Sequence, residues 1–183
     1  MQREITWSTW DGQGLEHLRL SFDESGIRAD SLIIGIDESV RFRAAYHLAC
    51  DPDWQARTLK VDLLGERSIG LQSDGEGHWQ MRDGEAIPSL QGCIDVDITA
   101  TPFTNTLPIR RLGLQVGESR DILTLWVLMP SLELKAARQR YTRLEAQRYR
   151  FEDPSISFSA DLPVDEDGLV LDYPDLFRRI YPR

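Results

Sequence analysis

The chain has 183 residues, of which 41% are hydrophobic and 28% charged, the balance of an ordinary globular protein. That length fits a single domain, 1–183, long enough to bury most of its apolar surface. A formal net charge of −9 argues against nucleic acid as a partner and against spontaneous docking to anionic headgroups. No stretch approaches the ~20 consecutive apolar residues that span a bilayer. The opening Met1-Gln2-Arg3-Glu4-Ile5-Thr6-Trp7 lacks the apolar core of a secretory signal, and no Cys lies near it to take a lipid anchor. Cys50 and Cys93 sit inside apolar stretches and read as buried free thiols of a reducing compartment, so the expected location is cytoplasmic.

Taken in chain order, the sequence reads as short strands punctuated by turns. Residues 16–22 alternate Leu18, Leu20 and Phe22 against His17, Arg19 and Ser21. Residues 39–48 set Val40, Phe42, Ala44, Tyr46 and Leu48 against Arg41, Arg43, Ala45 and His47, and 57–64 set Leu59, Val61 and Leu63 against Lys60, Asp62 and Leu64. Turn signals separate these runs: Asp11-Gly12-Gln13-Gly14, Glu24-Ser25-Gly26, Asp51-Pro52-Asp53, Gly65-Glu66 and Asp74-Gly75-Glu76-Gly77. Regular spacing of strands and turns predicts a mainly β fold: an antiparallel twisted barrel or half-barrel.

The middle of the chain carries the candidate site. Over 93–98 a strand places Cys93, Asp95 and Asp97 on one face and Ile94, Val96 and Ile98 on the other. Two carboxylates so placed could bond sugar hydroxyls, hold a metal or pair with arginines; a polar face in plain water explains them equally well. Residues 101–112, Thr-Pro-Phe-Thr-Asn-Thr-Leu-Pro-Ile-Arg-Arg-Leu, are stiffened by two prolines and carry four apolar residues for burial. A buried irregular segment must satisfy its own backbone, which Thr104, Asn105 and Thr106 are suited to do. The stretch is therefore either a structural plug or the wall of a binding site. A short helix is predicted over 107–112, with Thr106 as N-cap, Pro108 in the first turn and Gly113 as the stop. Of Arg110 and Arg111, only one can face inward, to bind a carboxylate or phosphate or to clamp Asp95 or Asp97.

Residues 122–129 form a nearly continuous apolar strand around Trp126, whose second dry side implies a cavity or a covering loop. The five tryptophans could line a lipid cavity or stack on a sugar, although core packing accounts for any single one. Over 131–150, Leu134, Ala137, Tyr141 and Leu144 recur at helical spacing, yet Tyr149 and Phe151 alternate with Arg148 and Arg150 as in a strand. The basic run Arg138, Arg140, Arg143, Arg148 and Arg150 reads as a solvated, ion-paired face. Asp165-Glu166-Asp167-Gly168 is no calcium loop, since Leu176 stands where the bidentate Glu is needed; it reads as a hairpin turn. His17, His47 and His78 have no metal-ligand spacing, and there is no nucleophile elbow, Walker loop or dinucleotide fingerprint.

The run at 101–112, the Gly92-Cys93-Ile94-Asp95-Val96-Asp97 lead-in and the ending VDEDGLVLDYPDLFRR at 164–179 occur in an order that resembles a bacterial family described as "putative glycolipid-binding". Gln139 and Tyr141 fall in the same pattern. The resemblance implies a lipid-carrier-like barrel and turns 131–150 toward strands. Its functional label rests on fold analogy. The leading expectation is a non-enzymatic protein, without cofactor or metal, that holds an amphipathic small molecule such as a glycolipid in a barrel cavity. The expected ligand-binding residues are Asp95, Asp97, Thr104, Asn105, Thr106, Arg110, Arg111, Trp126 and Tyr141. The alternatives are a hydrolase or isomerase of a sugar or lipid conjugate using Asp95 or Asp97, and a structural or interaction barrel with a filled core.

Overall fold

In the computed structural model, residues 1–37 and 40–182 are described. The first seven strands form an antiparallel meander: β1 (Gln2–Thr9), β2 (Leu15–Asp23), β3 (Gly26–Asp37), β4 (Val40–Cys50), β5 (Ala56–Leu63), β6 (Ser68–Ser73) and β7 (Trp79–Met81). Each of the five turn signals named between residues 11 and 77 falls between two of them. At Gly26, with φ of 129°, a Cβ would stand 2.1 Å from the Cys50 carbonyl oxygen, so only glycine allows β3 to begin there.

The chain then crosses to a second sheet, built from β8 (Asp95–Ile98), β9 (Ser119–Leu128), β10 (Glu133–Glu145), β11 (Arg148–Asp153) and β12 (Phe158–Pro163). Its order is β12-β11-β10-β9-β8, antiparallel except that β8 runs parallel to β9. A final hairpin, β13 (Asp172–Tyr173) and β14 (Phe177–Tyr181), returns to the first sheet and pairs with β1. That gives a nine-stranded sheet ordered β13-β14-β1-β2-β3-β4-β5-β6-β7. The architecture is thus mainly β, twisted and antiparallel, as a half-barrel of two sheets; no closed barrel forms among the described residues.

The period-two pattern works as expected. Leu18 and Leu20, Phe42, Ala44, Tyr46 and Leu48, and Leu59, Val61 and Leu63 all lie in the core. Val40 departs from it: at the very start of β4, beyond the packed part of the face, it is 57% exposed. Ser39, placed in the same strand by its sequence, lies outside the described residues. The 131–150 segment is a β-hairpin, β10 to β11, and the helical spacing of its apolar residues has no structural counterpart. Ala137, Gln139 and Tyr141 alternate inward instead, with Arg138 and Arg140 outward. Three of the five arginines of the basic run are ion-paired, Arg140 with Asp121, Arg150 with Asp161 and Arg148 with Glu145, while Arg143 donates to the backbone carbonyls of Leu114 and Ala146.

Residues 101–109 are buried without interruption between the sheets. Helix α1 (Thr106–Leu112) follows a single 3-10 turn at Phe103–Asn105 and stops at Gly113, whose φ of 55° is the left-handed end of the helix. The predicted cap is one residue off. Asn105 holds the N-cap position with helical φ and ψ and caps nothing with its side chain, because the preceding 3-10 turn already supplies backbone partners. The self-satisfying chemistry is as expected: the Thr101 hydroxyl accepts from Phe103 N–H, the Thr104 hydroxyl accepts from Ile98 N–H, and the Asn105 amide donates to Pro102 O. Cys50 and Cys93 are free and buried.

Candidate functional site

The parallel strand β8 sorts its residues by face. Val96 and Ile98 enter the main core with Leu125 and Val127, and Asp95 and Asp97 turn the other way, toward α1, β9 and β10. From there their surroundings diverge. Asp95 is fully buried and receives Arg111 of α1 in a two-pronged pair, Nε to Oδ1 at 2.9 Å and Nη2 to Oδ2 at 2.5 Å. Burial pushes the Asp95 carboxyl up, and the Arg111 guanidinium pulls it back down. The helix turns Arg110 elsewhere: it is exposed, its guanidinium 5.5 Å from the ring centroid of Trp54.

Asp97 opens onto a cleft of about 270 Å³. Its Oδ2 accepts from the Gln139 amide at 2.6 Å, and Oδ1 takes a longer contact of 3.4 Å from the Thr104 hydroxyl. Thr124 in turn donates to Gln139 Oε1, which fixes the amide's orientation. The Asp97 carboxyl is raised to about 6, the balance of burial, which raises it most, the bonds from Gln139 and Thr104, which lower it, and the negative charge of Asp153, which raises it. Asp153, at the end of β11, spends Oδ1 on the Ser155 N–H and hydroxyl. Asn105 completes the polar floor, held through Oδ1 by the Tyr141 hydroxyl at 2.8 Å.

The walls of the cleft are aromatic. Trp126 rises from β9, next to Asp97 in register, with Phe151 and Phe158 from β11 and β12 and Tyr173 and Phe177 from the last hairpin. Phe151, Phe158, Tyr173 and Phe177 form a connected series of ring contacts with centroids 6.1 to 6.4 Å apart. Such a surface offers apolar stacking faces above a floor of hydrogen-bonding carboxylates, the arrangement that suits a sugar ring joined to an apolar group.

Of the residues expected to bind a ligand, Asp97, Asn105 and Trp126 line this cleft. Thr104 and Tyr141 stand behind Asp97 and Asn105 as their hydrogen-bond partners. Asp95 and Arg111 satisfy each other, Thr106 is fully buried in the plug, and Arg110 stacks on Trp54; none of these four is part of the cleft lining. Asp153, Phe158, Tyr173 and Phe177 were not among the expected residues. They lie in separate short segments late in the chain: Asp153 and Phe158 on β11 and β12 of the second sheet, and Tyr173 and Phe177 on the hairpin β13–β14 that pairs with the first. Among the described residues no cluster of three or more His, Cys, Asp or Glu could hold a metal ion, and no helix is long and apolar enough to cross a membrane.

The sequence profile of the family described as "Putative glycolipid-binding" matches residues 4–179. The chain belongs to this family. A crystal structure of a DUF1089 family protein from Pseudomonas aeruginosa superposes with a TM-score of 0.80 at 40% identity, covering 94% of this chain and 92% of that one. No curated protein matches the chain.

Proposed function

We propose that the cleft between Asp97 and the aromatic walls binds an amphipathic glycoside, a glycolipid in the family's terms. The sugar hydroxyls would bond to Asp97, Asp153 and Asn105, and the apolar part would lie along Trp126, Phe158 and Phe177. The observation that carries this reading is the pairing of carboxylates with a continuous aromatic series in a single cleft. The family description points the same way. An alkyl glycoside should bind saturably and change Trp126 emission, more tightly than either the free sugar or the alkyl alcohol. Equal binding of the alcohol and the glycoside would remove the sugar from the assignment. Organic extraction of the purified protein, followed by mass spectrometry, would identify a carried ligand.

A second reading, hydrolysis or isomerisation of a sugar or lipid conjugate, is favoured by the raised Asp97 carboxyl facing the same cleft as Asp153. Asp95 takes no part in it, being closed off by Arg111. Incubation of the bound glycoside with the protein separates the two readings: recovery of the glycoside unchanged is the result expected of a carrier.

A further inference from the structure

A second pocket lies next to the cleft and shares Thr99 and Phe177 with it. Its volume is about 140 Å³, close to that of an apolar cavity able to hold a single small ring (about 150 Å³). Trp7, Phe42 and Phe177 are the aromatic residues of its lining, and Glu16 is among the others. Glycine at residue 35 lets the Phe42 ring lie against the β3 backbone: a Cβ there would stand 2.4 Å from that ring.

Glu16 is the anomaly of the fold. It is 2% exposed, on the core-facing side of β2 in line with Leu18 and Leu20. Its Oε1 accepts from the Ser31 hydroxyl at 2.7 Å and the Tyr46 hydroxyl at 2.8 Å. Its Oε2 is buried and completes no hydrogen bond of its own among the described residues, although the Thr101 hydroxyl stands close enough to favour the charged form. No cation pairs with Glu16 among the described residues. The pocket lining contains a second acid, Asp37, and no Lys, Arg or His. A buried carboxylate without a counter-charge is costly, and a bound cation would offset that cost.

We propose that this pocket is a separate binding compartment for a primary alkylammonium group, with Glu16 as its counter-ion and the rings of Trp7, Phe42 and Phe177 as its apolar and cation-π walls. The chemical class follows from the lining: two carboxylates, three aromatic rings and no positive charge. The compartment does not depend on the sugar assignment of the neighbouring cleft. Burial holds the Glu16 carboxyl at about 7, against the pull of Thr101, Ser31 and Tyr46, so an ammonium entering near neutrality displaces a proton from Glu16. Tyr46, on β4, is the titratable group in direct contact with it, and its own hydroxyl is pushed well above the usual range by burial and by the Glu16 charge. Asp37 is the other ionisable group of the lining.

The test compares n-butylammonium with 1-butanol, its neutral counterpart of similar shape, in NMR titrations at about pH 8 and about pH 5.5. The amine should bind about tenfold or more tightly than the alcohol at the higher pH and lose that preference at the lower one. The 13C resonance of the Glu16 carboxyl in the unmutated protein should titrate at a lower pH when the amine is present. Glu16→Gln should bind the two probes alike. Equal affinities at the higher pH, or a Glu16 titration unmoved by saturating amine, would overturn the assignment whether or not the variant folds. A preference that survives Glu16→Gln and disappears in Asp97→Asn would place the cation in the cleft and overturn it as well.

Discussion

Asp95 and Asp97 stand two residues apart on one strand and face the same side, yet they have opposite surroundings. Asp95 meets Arg111, and its two oxygens are consumed by one guanidinium. Asp97 meets only an amide and a hydroxyl, and it keeps a face on the aromatic cleft. Burial raises both carboxyls, so the difference lies mainly in the partner, although Asp97 also keeps some exposure that Asp95 lacks. A charge closed by a rigid fork becomes part of the scaffold, whereas a charge held by neutral donors keeps capacity for a further partner.

The sharpest way to break this contrast is Arg111→Ala. It leaves the fully buried Asp95 without a counter-charge, and loss of one partner of a buried pair costs about 3–5 kcal/mol. The expected result is a large drop in denaturant midpoint. A melt close to that of the parent protein would show that Asp95 is not held by this pair.

The next effect is the pH dependence of stability. Glu16 is raised to about 7 and Asp97 to about 6, both above their unfolded values, so the folded chain binds more protons than the unfolded chain between roughly pH 4.5 and pH 7. Stability should therefore fall as pH rises through this window, by up to about 3 kcal/mol from Glu16 alone. The lowered carboxyls of Asp11, Asp23, Asp74, Asp121 and Asp161 act in the opposite sense, losing their contribution only in acid below that window. Urea midpoints measured from pH 5 to pH 8 should decline, and Glu16→Gln should flatten most of the decline. A rising midpoint would contradict the buried, unpaired state of Glu16.

Much of this was legible in the chain, for identifiable reasons. Period-two alternation marks β2, β4 and β5 because one face of each is dry and the other wet. The plug at 101–109 is legible because its threonines and asparagine are the groups a buried irregular backbone needs. That one arginine of α1 turns inward to Asp95 or Asp97 follows from helix geometry and a short stiff connection; that it is Arg111 on Asp95 comes from the packed structure. Other features depend on contacts that no local pattern encodes. The cleft is assembled from β8, β9, β11, β12 and the last hairpin, so Asp153, Phe158 and Phe177 carry no shared signal along the sequence. In β10 the apolar residues sit at both helical and strand spacing, and only pairing with β9 and β11 decides between them. Glu16 did have a signal: stepping the Leu18, Leu20 and Phe22 alternation back by one register position lands a carboxyl in the core.

The contrast between the two aspartates can also be sharpened through binding. Asp97→Asn keeps an acceptor for Gln139 and removes the charge, so the fold should hold while affinity for an alkyl glycoside falls by about tenfold, the worth of one charged hydrogen bond. Asp95→Asn should instead loosen the α1 anchor by weakening the Arg111 pair, lowering stability at unchanged intrinsic affinity. Calorimetry on both variants, at a temperature where each is folded, would show the two effects separately. Equal losses of affinity would mean that the two carboxylates act on the ligand together.

The smallest effect is expected from the neighbour of Arg111. Arg110 lies exposed over Trp54, and an exposed cation-π contact contributes about 0.5–1 kcal/mol. Trp54 holds a left-handed backbone, φ 66°, in the turn after β4, so the stacked guanidinium covers a ring that the turn already fixes in place. Arg110→Ala should therefore shift the melting temperature by only a few degrees, by the usual scaling for a domain of this size, and leave glycoside binding unchanged. If Arg110→Ala instead destabilised the protein as strongly as Arg111→Ala, the two arginines would be acting as one unit. The division of α1 into an inward clamp and an outward stack would then be wrong, and a double-mutant cycle between Arg110 and Trp54 would measure by how much.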